Sequence, residues 1–350
     1  MPTIPPRAEM EQAYRRSDAS YDGVFFLGVR TTGVFCRPSC GARKPRPRNV
    51  EYFATPHDAL IAGYRPCKRC QPMVAIGQPP AWVGRLLAEV ERDPTRRLTD
   101  AHIRSFGIDP ARARRFFQKN HGMTFQAYSR SRRLGKALEQ IRRGERLDDV
   151  ALGYGYDSHS GFRDAFARTF GGPPGRGRAT KCIKVSWIES PLGPLIAGAT
   201  DESLVLLEFT ERRMLETQFA TLRRHFKRPI VPGENRILLQ ARRELGQYFA
   251  GELKKFSVPI DFPGSEFQQR VWKGLLKIPY GKTMSYEDLA GKIREPRSQR
   301  AVGHTNGLNR IAVIIPCHRV INKNGELGGY GGGLWRKQAL LELERGERTY

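Results

Sequence analysis

Two close pairs of cysteines near the N-terminus place the strongest constraint on how the first part of this 350-residue chain can fold. One pair is Cys36 and Cys40, and the other is Cys67 and Cys70. Each pair can span one edge of a tetrahedron, which is typical of a zinc site with four thiolate ligands. Such a site has no open position for water, so its default role is structural. We predict a small zinc-binding domain over residues 1–78.

A second cysteine environment lies near the C-terminus, where Cys317 follows the largely apolar run 311–316. β-branched residues favour strands and proline stiffens the backbone, so Cys317 is predicted to end a buried strand. The adjacent His318 can take the thiol proton and raise the thiolate fraction. Leu334–Glu344 predicts a helix that turns Glu344 toward the apolar side, where a carboxylate needs a partner. We predict that Glu344 orients His318, and a buried inert cysteine beside a surface histidine is the alternative.

The net charge indicates the class of partner. Lys and Arg number 60 against 35 Asp and Glu, which is a formal charge of +25. An excess of this size indicates a polyanion, above all nucleic acid, although a merely basic protein is the alternative. No apolar run approaches the roughly 18–20 residues of a membrane span, and the N-terminus has no apolar signal core. We therefore expect a cytoplasmic monomer that binds double-stranded DNA and no membrane.

Residues 79–175 carry two predicted helix-turn-helix units. In the first, Asp109 caps a helix that has Pro110 at its first position. In the second, phenylalanines four residues apart over 162–170 form the buried stripe of a recognition helix. A helical bundle with solvated arginines is the alternative interpretation. The arginines predicted to face DNA are Arg114, Arg115 and Arg163.

The remaining chain is predicted to contain a linker, a sheet and a second helical part. Glycine and proline make residues 176–181 a linker. Short apolar runs over 182–261 predict a small antiparallel sheet. Residues 262–350 turn helical and include a third helix-turn-helix, whose predicted outer face is Arg300, Ala301, Gly303, Asn306 and Gly307. Small residues there would let a backbone approach closely, as a minor groove demands.

The predicted fold class is therefore α+β with several domains. It comprises a small zinc-binding α/β domain, an all-α domain with two helix-turn-helix units, and a small β-sheet subdomain followed by a helical domain with a helix-turn-helix of its own. A basic, stiff segment over residues 43–48 in the first of these is suited to phosphate contact.

Residues 316–319 read Pro-Cys-His-Arg and, with the glycine-rich loop that follows, resemble the active site of the O6-alkylguanine-DNA alkyltransferases. The resemblance extends over residues 262–344. It implies that Cys317 accepts the alkyl group irreversibly. Each molecule would then act once, as a methylated-DNA–protein-cysteine S-methyltransferase and alkyltransferase.

The same resemblance implies roles for further residues. Arg300 matches the arginine that enters the base stack in place of the extruded nucleotide, because the alkylated oxygen is reached only when the base is flipped. Tyr286 matches the tyrosine that donates to the guanine, and Asn309 the residue that braces the helix-turn-helix against the active-site segment. The implied pocket walls are Val320, Tyr330 and Gly331, and Ala301 and Gly303 are implied DNA contacts.

The segments around the four N-terminal cysteines resemble the metal domain of Ada-type methylation-response proteins, and residues 155–173 resemble the AraC-type regulators. The first resemblance implies that zinc keeps all four sulfurs as thiolates and that Cys36 takes a methyl group from a DNA phosphotriester. Because this conversion lowers the negative charge of the centre, we hypothesise that methylated Cys36 tightens promoter binding. The protein would then activate the alkylation response, with RNA polymerase as a further partner.

Two other functions remain open on the sequence. One is a zinc-stabilised AraC-type regulator that senses lesions without repairing them. The other is a hydrolase built on Cys317 and His318, which would need an oxyanion hole that the sequence does not reveal.

Overall fold

The computed structural model describes residues 4–74, 80–210, 212 and 214–348. Pro79, at the boundary predicted between the first two domains, lies outside them. The chain divides into two compact units. The first comprises residues 1–78, 266–309 and 313–350, and the second comprises 79–265 and 310–312. No helix in the described part of the chain has the length and apolar character needed to cross a bilayer.

The N-terminal part of the first unit is a four-stranded sheet with two helices. Its elements are α1 (Arg7–Arg15), β1 (Phe26–Val29), β2 (Val34–Cys36), β3 (Val50–Phe53), α2 (Pro56–Ile61) and β4 (Arg65–Pro66). The strand order is β3-β1-β2-β4, with β2 and β4 parallel and the other pairs antiparallel. The first cysteine pair begins at the end of β2 and the second directly after β4. Because these two strands lie side by side in parallel, the two cysteine pairs come together.

The helical block contains the two predicted helix-turn-helix units. Its helices are α3 (Ala81–Arg92), α4 (Asp100–Ser105), α5 (Pro110–His121), α6 (Phe125–Arg143), α7 (Leu147–Gly153) and α8 (His159–Phe170). The predicted cap is confirmed, because the Asp109 carboxylate accepts hydrogen bonds from the backbone amides of Ala111 and Arg112. Phe162 and the two phenylalanines that follow it on α8 are buried, as predicted.

The sheet of the second unit has one more strand than the sequence suggested. Its elements are β5 (Ile183–Ile188), β6 (Leu195–Ala199), β7 (Leu204–Phe209), α9 (Leu215–Phe226), β8 (Ile230–Pro232) and α10 (Arg236–Phe249). The order is β7-β6-β5-β8. The first three strands pair antiparallel as expected, whereas β8 joins the edge of β5 in parallel.

The helical block packs directly on this sheet. Gly135 of α6 faces Val231 of β8 so closely that an added Cβ would lie 2.6 Å from the valine methyl. The buried Lys184 ammonium lies 2.8 Å from the Glu139 carboxylate of α6. His121 stacks between Phe117 and Trp187, and burial lowers its pKa to about 3. These contacts join the helical block and the sheet into one compact unit.

Part of the predicted linker is ordered. Pro174–Ala179 form a 3-10 helix that packs against α6 and α8. At Gly177 an added Cβ would lie 2.8 Å from the Ile141 side chain, so glycine serves close packing here rather than flexibility.

The C-terminal part of the first unit is helical. Its elements are α11 (Glu266–Leu275), β9 (Met284–Ser285), α12 (Tyr286–Lys292), α13 (Gln299–Gly307), β10 (Val320–Ile321) and α14 (Leu334–Glu344). Helices α12 and α13 form the third helix-turn-helix, and β9 and β10 pair in parallel. Helix α14 has the predicted bounds and contacts residues 19–21 of the N-terminal part.

The packing of α6 on β8 predicts opposite effects for two glycine-to-alanine substitutions. Gly135→Ala should destabilise the protein by about 1–3 kcal/mol, because the methyl group overpacks the contact with Val231. Gly246→Ala in α10, where an added Cβ has open space, should stabilise it by up to about 1 kcal/mol. Urea unfolding measures both, and equal effects of the two changes would contradict the packing.

Candidate functional site

The four N-terminal cysteines form a compact cluster. Their sulfur atoms all lie within 4.8 Å of one another, and Cys36 and Cys40 are the more buried pair. Zn–S bonds of about 2.3 Å in a tetrahedron give S–S edges of about 3.8 Å, so small side-chain movements suffice to hold the ion. The donor set of four thiolates and its spacing fit zinc.

The loop between Cys36 and Cys40 is held by polar contacts. The Asp22 carboxylate accepts hydrogen bonds from both the backbone amide and the hydroxyl of Ser39. The backbone amide of Arg37 donates to the Cys70 sulfur at 3.4 Å. These bonds fix the backbone that carries the sulfurs, and sequence reasoning had not identified Asp22.

The basic segment 43–48 is only partly available for phosphate contact. Arg43, Arg46 and Arg48 are exposed, as phosphate contact requires. Lys44 instead turns inward, where its ammonium donates to the Cys40 carbonyl oxygen at 3.0 Å and lies over the Tyr14 ring. The positive charge of Lys44 thus faces the thiolate cluster.

The prediction of a strand before Cys317 is wrong. Ile311 makes a single bridge, and residues 312–314 form turns in which Val313 has a φ of +71°. That conformation is rare for a β-branched residue and cannot continue a strand. Cys317 begins a 3-10 turn, Cys317–Arg319, and is only 5% exposed. The cysteine is therefore buried as expected, but on a turn.

The expected contact between His318 and Glu344 is present. His318 Nε2 lies 2.8 Å from Glu344 Oε1, and both side chains are completely buried. Glu344 also receives two hydrogen bonds from Arg319, at 2.8 and 2.9 Å, and one from the backbone amide of Gly281 at 3.1 Å. Burial alone would raise the pKa of Glu344, but His318 and Arg319 hold it well below its usual range. The carboxylate is therefore ionised.

Burial lowers the pKa of His318, although Glu344 opposes the shift. The imidazole is therefore neutral at pH 7 and can accept a proton. Among the described residues, its Nδ1 atom has no hydrogen-bond partner. That nitrogen is left for a proton donor such as a thiol or a bridging water.

Asn309 and Asn306 tie α13 and its C-terminal end to the cysteine segment. Asn309 Nδ2 lies 2.9 Å from the Ile315 carbonyl oxygen and 3.1 Å from the Cys317 sulfur. An amide donor on sulfur favours the thiolate. The expectation that Asn306 lies on the outer face of the helix is wrong, because Asn306 is buried and donates to the Cys317 carbonyl oxygen.

The Tyr286 ring lies between two glycines. An added Cβ would lie 3.7 Å from the ring at Gly303 and 3.2 Å from it at Gly328. Burial raises the pKa of Tyr286, Asn306 opposes the shift, and the Cys317 charge adds to it. The phenol therefore keeps its proton at neutral pH and can act as a donor.

The other predicted site residues differ in their exposure to solvent. Arg300, Ala301 and Gly331 are exposed, and Tyr330 is partly buried. Val320 is completely buried. Arg114, Arg115 and Arg163 are exposed on α5 and α8, with Arg114 3.7 Å from Asp100.

Sequence reasoning missed Lys337. Its buried ammonium donates to the carbonyl oxygens of Val320, Leu327 and Gly329. Burial lowers its pKa to about 8, and the Cys317 charge opposes that shift. Lys337 lies seven residues before Glu344 on the same helical stripe, so the argument that turned Glu344 inward would have found it.

Four family models match the chain. They are the metal binding domain of Ada over residues 9–73, a helix-turn-helix domain over 103–180, and the ribonuclease-like and DNA binding domains of 6-O-methylguanine DNA methyltransferase over 183–262 and 266–346. The bifunctional transcriptional activator/DNA repair enzyme Ada of Escherichia coli strain K12 is 32% identical over 345 residues, which is 95% of each chain.

Two further relatives match the C-terminal half. The methylated-DNA–protein-cysteine methyltransferase of Mycobacterium tuberculosis strain H37Rv is 49% identical over 158 residues, 45% of this chain and 90% of the relative. The crystal structure of Mycobacterium tuberculosis OGT in complex with DNA has 45% sequence identity and a TM-score of 0.42, and covers 47% of this chain and 95% of that one.

The buried ammonium predicts a pH-dependent stability. Between pH 8 and 10.5 the unfolded chain holds a proton that folded Lys337 has lost, so stability rises with pH by up to about 3 kcal/mol. The Lys337→Met variant should lack this rise. Urea unfolding across that pH range measures it, with Lys292→Met, on the exposed face of α12, as the control. Parallel profiles for the wild type and Lys337→Met would contradict the prediction.

Proposed function

Because the chain belongs to the Ada family of bifunctional transcriptional activators and DNA repair enzymes, we propose that it repairs alkylated DNA with two of its own sulfurs. Cys317 takes alkyl groups from O6-alkylguanine, and Cys36 takes methyl groups from phosphotriesters. The observation that carries the first assignment is the buried Cys317 sulfur, which accepts a hydrogen bond from Asn309 and directly precedes His318, the residue that contacts Glu344.

At Cys317 the chemistry is a displacement at carbon. The thiol proton passes to Nδ1 of His318, directly or through water, and Glu344 stabilises the imidazolium that forms. The sulfur then forms an S–C bond while the bond from the alkyl carbon to guanine O6 breaks. Tyr286 donates to the leaving guanine, so that overall the thiol proton replaces the alkyl group. Arg300 fills the gap left by the flipped base.

At the cysteine cluster we assign Cys36, Cys40, Cys67 and Cys70 as zinc ligands and Cys36 as the acceptor. Bound zinc supplies the positive charge that keeps the four sulfurs deprotonated at neutral pH. The Cys36 sulfur bonds to the methyl carbon while the carbon–oxygen bond of the triester breaks, and the electron pair stays on the phosphate. The exposed Arg43, Arg46 and Arg48 supply the phosphate contacts.

Methylation of Cys36 is proposed to act as the switch for transcription. Zinc with four thiolates has a net charge of about −2, which repels DNA, and a thioether in place of one thiolate halves it. The two helix-turn-helix units, with Arg114, Arg115 and Arg163, would then read promoter DNA. We expect a monomer that recruits RNA polymerase in the cytoplasm, a reducing compartment that suits a chain whose six cysteines form no disulfide.

Intact-mass analysis after exposure to methylated duplex DNA tests the acceptor assignment. The wild type should gain one methyl group at Cys317 from O6-methylguanine, in a reaction that stops at one equivalent. Cys317→Ala should gain none there and should bind DNA as before, because it loses only the nucleophile. Cys182→Ala, which removes a buried thiol outside both sites, is the control and should react normally.

Two results would refute this assignment. A protein that gains no mass would be a regulator that senses lesions without repair. Continued turnover beyond one equivalent would indicate a hydrolase.

The switch predicts a change in salt dependence as well as affinity. Zinc-loaded protein methylated at Cys36 should bind a promoter duplex more tightly than the unmethylated form, and the difference should shrink as salt screens the thiolate charge. Fluorescence anisotropy at several salt concentrations measures it. Cys317-methylated protein is the control and should resemble the unmodified form, and equal affinities at low salt would exclude the switch.

A further inference from the structure

A cleft of about 990 Å³ lies within the helical block of the second unit. Its walls come from the loop before α4, the start of α6 and the recognition helix α8. It therefore runs between the two helix-turn-helix units. At its rim, Asp100 of α4 belongs to the first unit and pairs with Arg114 of α5.

The cleft is lined by four arginines and two aspartates. The arginines are Arg97, Arg130, Arg133 and Arg168. Of the aspartates, Asp100 is already engaged by Arg114 and by the side-chain amide of Gln126, and Asp157 is exposed. The cleft therefore carries an excess of positive charge. Ser158 and Gly161, at the start of the 12-residue helix α8, also line it, and the positive end of the helix dipole favours an anion there.

Three of these arginines lack acidic partners among the residues that the structure describes. Within the described part of the chain, Arg97, Arg130 and Arg168 have no carboxylate within ion-pair distance and are exposed. The neighbouring Arg132, on the same helix but outside the cleft, pairs with Glu91 at 2.6 Å. Gathering like charges without partners costs free energy, which a bound anion would recover.

The fourth arginine is held in place before any ligand arrives. Arg133 is only 9% exposed, its guanidinium lies 4.8 Å from the centre of the Tyr156 ring, and it donates to the Thr95 carbonyl oxygen at 3.3 Å. Its buried Nε has no hydrogen-bond partner among the described residues. An ordered guanidinium with a spare donor suits a phosphate oxygen.

We propose that this cleft is a phosphate-binding site, occupied by the backbone of a DNA strand that passes from one helix-turn-helix unit to the other. The inference rests on the proposed DNA binding of the helical block and adds a contact made by neither recognition helix alone. Because phosphate contacts carry no sequence information, the site would set affinity and register and leave base preference to α5 and α8.

The test is the double variant Arg130→Gln, Arg168→Gln, whose side chains are exposed and whose loss should leave the fold intact. Binding of a promoter duplex and of a scrambled duplex is measured by anisotropy across salt concentrations. Both affinities should fall by a similar factor, and the slope of log affinity against log salt should drop by roughly 1–2, about 0.9 per lost contact. Arg243→Gln, exposed on α10, should change the slope far less.

The other outcomes overturn the proposal in distinguishable ways. If the double variant matches Arg243→Gln while the wild type binds duplex, the cleft does not hold the strand. If only the promoter affinity falls, the arginines read bases instead. Inorganic phosphate is titrated in parallel and followed through the Arg133 side-chain N–H resonance. A shift at that resonance with unchanged duplex binding in the double variant would identify a free anion as the ligand. If the wild type binds no duplex at all, the proposed regulatory function fails.

Discussion

The buried carboxylate of Glu344 is the interaction on which the Cys317 site depends. It joins α14 to the turn Cys317–Arg319 through His318 and Arg319, and to the turn before β9 through the amide of Gly281. A carboxylate with this many donors stays ionised, and its charge keeps the arginine and the imidazole buried beside the sulfur. Removing it would leave a buried guanidinium uncompensated, a change that costs about 3–5 kcal/mol in comparable sites.

The two proposed acceptor sulfurs share a requirement and meet it by different physical means. A thiol must become a thiolate, yet burial opposes the charge. Around Cys317 the opposition is offset by an amide donor and a neutral imidazole. Around Cys36 the donor set of four sulfurs calls for a cation, and Lys44 adds a second positive charge nearby. At each site, the neighbouring groups thus compensate the negative charge of the thiolate.

Much of the architecture could be predicted because local patterns and packing agree. The bounds of α14 and the antiparallel pairing of β5 to β7 follow from apolar periodicity and turn residues. The errors arise where tertiary context decides. Val313 adopts a conformation that its side chain disfavours, so an apolar run became a turn rather than a strand. Strand β8 is only three residues long and is stabilised by its pairing with β5. Asn306 is buried because its side-chain amide donates to the Cys317 carbonyl oxygen.

The close fit of α6 against β8 has a consequence for dissecting this protein. Cutting the chain near residue 180 would remove Val231 from the groove at Gly135 and Lys184 from Glu139. The isolated helical block would expose to water the apolar surface around Gly135 that Val231 covers, and Glu139 would lose its ion-pair partner. Experiments on such a truncated protein would report its tendency to self-associate along with its affinity for DNA.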